Sequence, residues 1–311
     1  MQLPVRKEGL ALFSLLAVYL VAFECMIGYR LEHFLLVALC TGLYLNEPYG
    51  RKFLWAYSAF ILYWIIWDGM KAFPNFEFAR VHIRDLYEFE KHIFGVEVEG
   101  RMLTPNEWLA LDASMGKDFL AGLFYINWVP VPLVFGFYLF VRRPYVFLQF
   151  AFCFLLANLI GFVGYYLYPA APPWYVDHYG FDFDPSTPGN AAGLARFDAI
   201  VGAGVFEGLY AKSSNVFAAF PSLHAAYPLV VLIWGIKAGL RSVNLVFGIF
   251  ALGIWLAAVY SGHHYVVDLL GGIVCALLAW VLLEWAHHRW PAYRNVLERY
   301  ASLISFSARE Q

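Results

Sequence analysis

Long apolar runs separated by short polar breaks dominate the chain. A helix needs about 20 mostly apolar residues to cross the hydrocarbon core of a bilayer. Runs that meet or approach this length cover 9–28, 31–46, 52–70, 118–141, 144–168, 221–240, 242–261 and 264–285. The second is the shortest. The pattern predicts an all-α integral membrane protein, a polytopic bundle of about eight transmembrane helices within a range of six to eight. Very short links between several runs make consecutive helices antiparallel neighbours. Residues 1–311 read as one membrane domain.

The polar breaks have a sidedness. Taking the N-terminus as inside, the inner segments carry Arg6 and Lys7, then Arg51 and Lys52, then Arg142 and Arg143. Lys237 and Arg241 follow, then Arg289, Arg294, Arg299 and Arg309. The short outer link Ser261–Gly262 has no cation, and Arg30 stands in its outer turn with Glu32 nearby. By the positive-inside rule both termini face the cytoplasm. No small-residue cleavage site follows Glu24–Cys25, so the first run reads as a retained span.

Two outer loops are too long to be simple connectors. In 71–117, Phe78 to Lys91 mixes charges and aromatics at helical spacing, as a helix in the headgroup layer does. Thr104-Pro105-Asn106-Glu107 has the form of a capping box with proline in the first helical position. The loop at 169–217 opens Tyr168-Pro169-Ala170-Ala171-Pro172-Pro173-Trp174-Tyr175 and offers Asn190 as an N-cap for 191–200. It ends Lys212-Ser213-Ser214-Asn215. It reads as a lid or substrate platform over the outer helix ends.

Composition agrees with the pattern: 61% of the 311 residues are hydrophobic and only 14% charged, with a net charge of −2 that excludes a nucleic-acid partner. Cys25, Cys40, Cys153 and Cys275 all lie in apolar runs without metal-type spacing and read as packing residues. Glu24, Asp68, Asn127 and Asn158 read as polar glue between helices. His33, His82, His92 and His178 read as interfacial rings, and His287 and His288 as part of the basic inner tail.

Chemistry concentrates in two stretches at outer helix ends, Phe220-Pro221-Ser222-Leu223-His224 and Ser261-Gly262-His263-His264-Tyr265-Val266-Val267-Asp268. His264 and Asp268 are four apart and share a helix face. A carboxylate there fixes the tautomer of an imidazole that acts as nucleophile or base. His264 can attack phosphorus while His224 protonates the leaving alkoxide and later activates the acceptor. Free N–H groups after Pro221, with Ser222 and Lys212, can seat phosphate oxygens. A metal site is one rival, weakened because the adjacent His263 and His264 point about 100° apart on a helix. A transporter is another, but ionisable relays of that kind lie near the bilayer midplane rather than at one surface.

Phe220-Pro221-Ser222-Leu223-His224 and His264-Tyr265-Val266-Val267-Asp268 resemble the second and third signatures of the type 2 phosphatidic acid phosphatase (lipid phosphatase/phosphotransferase) superfamily. The first signature, lysine, six residues, then Arg-Pro, is absent: Arg143-Pro144 has Gly136 where the lysine stands. The arginine six residues before the third-signature histidine is Ala258 here. With Tyr165 to Tyr175, the Gly189–Asp198 segment and Phe217 to His224, the resemblance over about 80–285 is to the inositol phosphorylceramide synthase branch of fungi and bacteria.

That resemblance implies transfer of phosphoinositol from phosphatidylinositol to ceramide or dihydroceramide. It implies a phosphohistidine on His264, released diacylglycerol, and no metal or other cofactor. A lipid phosphate phosphatase, or another head-group phosphotransferase, is the alternative. A diester carries one charge, so fewer cations are required. Ser222, Lys212, His263, Arg196, Tyr168 and Trp174 are the candidate substrate contacts beside the catalytic His264, Asp268 and His224. The implied setting is a bacterial inner membrane with the site facing the periplasm, or a lumenal face in a eukaryote.

Overall fold

The computed structural model describes residues 5–212 and 215–306. Arg309 and the pair Ser213 and Ser214 lie outside them. Helices α1 (Val5–Ile27) and α2 (Leu31–Leu45) lead into α3 (Tyr49–Ala56) and α4 (Ser58–Gly69). The first long loop carries α5 (Arg84–Phe94), a hairpin of β1 (Val96–Val98) and β2 (Arg101–Leu103), and α6 (Pro105–Ala110). Val96 pairs with Leu103, and the turn is made by Glu99 and Gly100, both at positive φ, as a two-residue hairpin turn requires. Helices α7 (Met115–Tyr125) and α8 (Pro130–Arg142) are joined by a 3₁₀ turn at Ile126–Trp128, and α9 (Pro144–Leu167) follows. The second long loop contains α10 (Pro173–Tyr179), α11 (Ala195–Val201) and α12 (Val205–Tyr210). The chain closes with α13 (Leu223–Lys237), α14 (Arg241–Tyr260), α15 (Val266–Arg289) and α16 (Pro291–Ile304).

All eight predicted runs are helical, but the count of eight spans is not reached. Among the described residues five helices are long and apolar enough to cross: Lys7–Ile27, Met115–Arg142, Pro144–Leu167, Arg241–Tyr260 and Val266–Arg289. A sixth is the α3–α4 pair, bent by 52° at Tyr57. Helices α2 and α13 have 15 residues each, about 22 Å of helix against the about 30 Å core. Hydropathy counts apolar residues and does not register helix ends. Phe220, Pro221 and Ser222 precede α13, and Gly239, at φ +70°, follows it.

Helix α13 is the axis of the bundle, with α9, α14 and α15 packed around it. Ala226, Val230 and Trp234 are fully buried along it. Association of helices inside a bilayer rests on close van der Waals packing, for which small residues are suited. At Gly272 of α15, a Cβ would fall 1.9 Å from the Ser222 carbonyl oxygen. Gly164 of α9 makes the same allowance for the Pro221 ring. The two helices thus clamp the backbone of the Pro221–Ser222 segment just before His224.

The C-terminal segment forms α16, which sequence patterning did not reveal. It packs on α9 and α3, and its Tyr300 hydroxyl donates to the Trp55 carbonyl at 2.6 Å. His33 is not a solitary interfacial ring: buried in α2, it lies 3.0 Å from Asp68 of α4, which also holds Lys71 at 2.6 Å.

Candidate active site

The two long loops are ordered by backbone pairing. His82, Ala170 and Ala218 form a small parallel braid, in which Ala170 N–H donates to Phe217 and Ala219 N–H donates to Ala170. Trp174 N–H donates to Gly262 at 3.0 Å and Gly193 N–H to Ser261 at 2.9 Å. The 169–217 loop is therefore fixed onto the α14–α15 link. Proline-rich sequence removes backbone donors and limits φ, which leaves these few bonds to set the path.

Helix α14 ends in a left-handed turn at Gly262, φ +72°. The N–H groups of His263 and His264 both turn back onto the Ala258 carbonyl, at 3.1 and 3.2 Å. Ala258 is fully buried here beside Ile254 and Leu269, where the related signatures place an arginine. The turn sends the two imidazoles apart. His263 Nε2–H donates to the Ala191 carbonyl at 2.9 Å, and the ring stacks on Tyr210, centroids 4.3 Å apart. His264 faces His224: Nε2 of His264 and Nδ1 of His224 are 3.0 Å apart. Burial pushes the His264 imidazole down to about 4, against the Ala219 bond, and the His263 imidazole down to about 3. Both rings are neutral at pH 7.

Nδ1 of His264 lies 3.1 Å from the Ala219 carbonyl, which accepts its N–H and leaves the Nε2 lone pair toward His224. The Asp268 carboxylate is 3.5 Å from the same Nδ1, at ion-pair rather than good hydrogen-bond distance. His264 precedes Tyr265, the extended N-cap of α15, so the helix face expected from the four-residue spacing is not formed, and the direct bond to His264 is made by a main-chain carbonyl. The reason is helix capping: Asp268 stands in the first turn of α15 and its Oδ2 accepts Tyr265 N–H at 2.8 Å. Its Oδ1 and the Ser222 hydroxyl are buried with no hydrogen-bond partner among the described residues. Ser222 N–H donates to the Asp268 carbonyl at 2.8 Å, tying the two motifs together.

His224, His263, His264 and Trp174 line a cavity of about 90 Å³ with Tyr210 and Asn215. That volume exceeds the about 10–15 Å³ that seats one water, and is below the about 300 Å³ of small ligand clefts. Other predicted contacts lie elsewhere. Lys212 is exposed and 3.3 Å from Glu32. Arg196 donates to Asp118 at 2.7 Å, braced by the Tyr260 hydroxyl on the same oxygen. Tyr168 stacks on His82 with ring centroids 3.7 Å apart, and His82 also pairs with Asp85.

Two residues of the site escaped the motif reading. Glu90 of α5 is fully buried, and its carboxylate oxygens accept Val266 N–H at 2.8 Å and Val267 N–H at 3.1 Å. It caps, from outside, the helix that carries Asp268. Burial, reinforced by Asp268 and opposed by those two bonds, pushes its carboxyl up to about 7. Asn106, inside the predicted capping box, donates to the carbonyls of Val259 and His264, at 2.7 and 2.8 Å. Glu90 sits in a mixed charge run whose pattern marks a helix face and not a distant partner.

A membrane-helix bundle with two facing imidazoles and a buried carboxylate at one end defines a membrane enzyme built for phosphoryl transfer. The chain belongs to the PAP2 superfamily, whose profile matches residues 100–282. It is 42% identical over 304 residues to a phosphoinositol dihydroceramide synthase of Bacteroides thetaiotaomicron, covering 97% of this chain and all of that one. It is 27% identical over 259 residues to the inositol phosphorylceramide synthase catalytic subunit of Schizosaccharomyces pombe, covering 80% of this chain and 58% of that protein. The inositol phosphorylceramide synthase of Candida albicans is 30% identical over 174 residues, 53% of this chain and 36% of that protein. No solved structure matches the chain.

Proposed function

We infer that this protein is a membrane phosphotransferase that moves phosphoinositol from phosphatidylinositol to ceramide or dihydroceramide, releasing diacylglycerol. The substrate pair rests on the similarity to the Bacteroides synthase, which extends over that protein's whole length. The observation that carries the chemistry is the 3.0 Å contact between His224 Nδ1 and His264 Nε2, with His264 Nδ1 held by Ala219.

In the first half-reaction Nε2 of neutral His264 attacks phosphorus and the bond to the glycerol oxygen breaks. Burial holds the His224 imidazole well below its ordinary range, so the ring takes up its second proton only with the arriving diester anion and then gives it to that oxygen. The phosphoinositol-bearing ring keeps its Nδ1 proton, and the Ala219 carbonyl and Asp268 carboxylate offset its positive charge. In the second half-reaction neutral His224 removes the proton of the ceramide primary hydroxyl as its oxygen attacks phosphorus. The N–P bond breaks and both histidines return to their starting states. The unpartnered Ser222 hydroxyl and the N–H groups opening α13 suit the two non-bridging oxygens.

The charge asymmetry supports both termini in the cytoplasm and the site at the outer face, the periplasmic side of a bacterial inner membrane. The test is purified protein in lipid nanodiscs given phosphatidylinositol with or without dihydroceramide. Ceramide-dependent formation of phosphoinositol ceramide and equimolar diacylglycerol is expected. Release of inorganic phosphate from phosphatidic acid as the main reaction would replace this reading with a phosphatase.

A further inference from the structure

A second cavity, of about 370 Å³, lies deeper in the bundle between α2, the α3–α4 pair and the α7–α8 break. Its lining is almost wholly apolar, from Trp64 and Trp128 at one end to Leu43 and Phe53 at the other. Phe53 and Trp64 lie eleven positions apart across the bend at Tyr57, about 15 Å end to end, close to one leaflet's share of the about 30 Å hydrocarbon core. Leu39 on α2 and Leu133 on α8, both exposed, form open rims facing lipid.

The groove and the catalytic pocket share no lining residue and are separated by the ring of Trp128. Trp128 is a wall of the groove, and its ring meets His224 edge-on at 4.7 Å. Tyr227, one helical turn beyond His224, stacks on Trp128 and lines the groove as well. Its hydroxyl donates to Asn158 at 2.7 Å and lies 3.5 Å from the Tyr63 hydroxyl. A cluster of hydroxyl oxygens thus closes an apolar groove just below the imidazole that handles the acceptor proton.

We propose that this groove is the acceptor site, holding a hydrocarbon chain of ceramide so that its primary hydroxyl reaches His224. The proposal rests on the transferase reading above and supplies its specificity. A ceramide carries an amide N–H and a secondary hydroxyl directly below its primary hydroxyl, donors that the Tyr227 and Tyr63 oxygens can accept. The diacylglycerol part of the donor has ester oxygens only, so it lacks those donors. The groove's second wall, from Leu36 to Trp64, precedes the superfamily match at 100–282. Helices outside the matched region thus form this wall of the groove.

The test fills the groove from its lipid-facing rims, with Leu133→Trp and Leu39→Trp measured separately in nanodiscs. Two acceptors are compared, a long-chain dihydroceramide and a ceramide with both chains cut to hexyl length. One methylene in an apolar pocket changes specificity by about tenfold or more. Both variants are therefore expected to lose at least tenfold in kcat/KM for the long-chain acceptor while transfer to the truncated one stays within twofold. Equal loss on both acceptors, no loss on either, or a raised KM for phosphatidylinositol alone overturns the assignment. Wild-type protein that transfers head group to neither acceptor overturns the transferase reading instead, a result distinct from these three.

Discussion

Nδ1 of His224 lies 3.0 Å from Nε2 of His264, too close for a phosphorus atom to stand in line between them. A near-attack geometry needs about 3–3.5 Å for the nucleophile–phosphorus approach alone. The donor must therefore displace this contact, and the small outer cavity must open with it. The two histidines then separate into nucleophile and acid, and their variants should differ. His264→Ala is expected to abolish transfer, whereas His224→Ala should keep a residue of activity reduced by about 10²–10⁴, the usual worth of a general acid–base group. Incubation with head-group-labelled phosphatidylinositol should label wild-type protein at an acid-labile site and leave His264→Ala unlabelled. Equal labelling of both would remove His264 from the nucleophile role.

Glu90 couples pH to the geometry of α15. Its carboxyl is pushed from an ordinary 4.5 up to about 7, with burial the main cause. Between those values the folded protein holds more protons than the unfolded chain, so Glu90's contribution makes stability fall as pH rises through that window. Activity should move the other way. The ionised carboxylate accepts both Val266 and Val267 N–H groups, and protonation turns one acceptor into a donor facing an amide. Transfer by the wild type is expected to drop as pH falls through about 7. Glu90→Gln should be flat across that range, near the low-pH rate of the wild type. An unchanged limb in the variant would assign the titration to another group.

The helices were legible because hydropathy is a local property, whereas the four-residue spacing of His264 and Asp268 did not become a helix face, because α15 begins only at Val266. What could not be read was set by tertiary contact. Glu90 meets Val266 across 176 residues of chain, and the Ala219 carbonyl that holds His264 carries no side-chain signature. Lys212 and Arg196 illustrate the converse. Both looked like phosphate ligands because they are cations near the motifs, yet each faces a carboxylate, Glu32 and Asp118 respectively. The helix of the sixth run is shorter than its apolar stretch for a similar reason, since Pro221 and Ser222 are apolar or small but lie before the helix.

Those two cations give a separable pair of outcomes. Lys212→Ala removes an exposed pair of the kind worth about 0–1 kcal/mol and should change kcat/KM less than twofold. Arg196→Ala leaves Asp118, almost fully buried, with only the Tyr260 hydroxyl. It should lower thermal stability in detergent, by about 2–3 kcal/mol at the outer end of α7 if the lost bond is typical of a charged group. Surviving activity per folded molecule should be near normal. A selective rise in KM for phosphatidylinositol in Lys212→Ala would return that side chain to the donor site.

The clamp on Ser222 is testable by one methyl group. A Cβ at Gly272 would sit 1.9 Å from the Ser222 carbonyl oxygen, a backbone atom with nowhere to retreat because its own N–H is bonded to Asp268. Gly272→Ala must therefore push α15 away from the start of α13, which separates His264 from His224. Gly248 is the matched control: it lies within α14, and a Cβ there meets nothing within 4 Å. There alanine should be neutral or stabilise by up to about 1 kcal/mol, through its better helix propensity. Expected results are loss of nearly all transfer and a lowered melting temperature for Gly272→Ala, with Gly248→Ala indistinguishable from or above the wild type in both. Full activity in Gly272→Ala would mean that the two motifs are not held together through this contact.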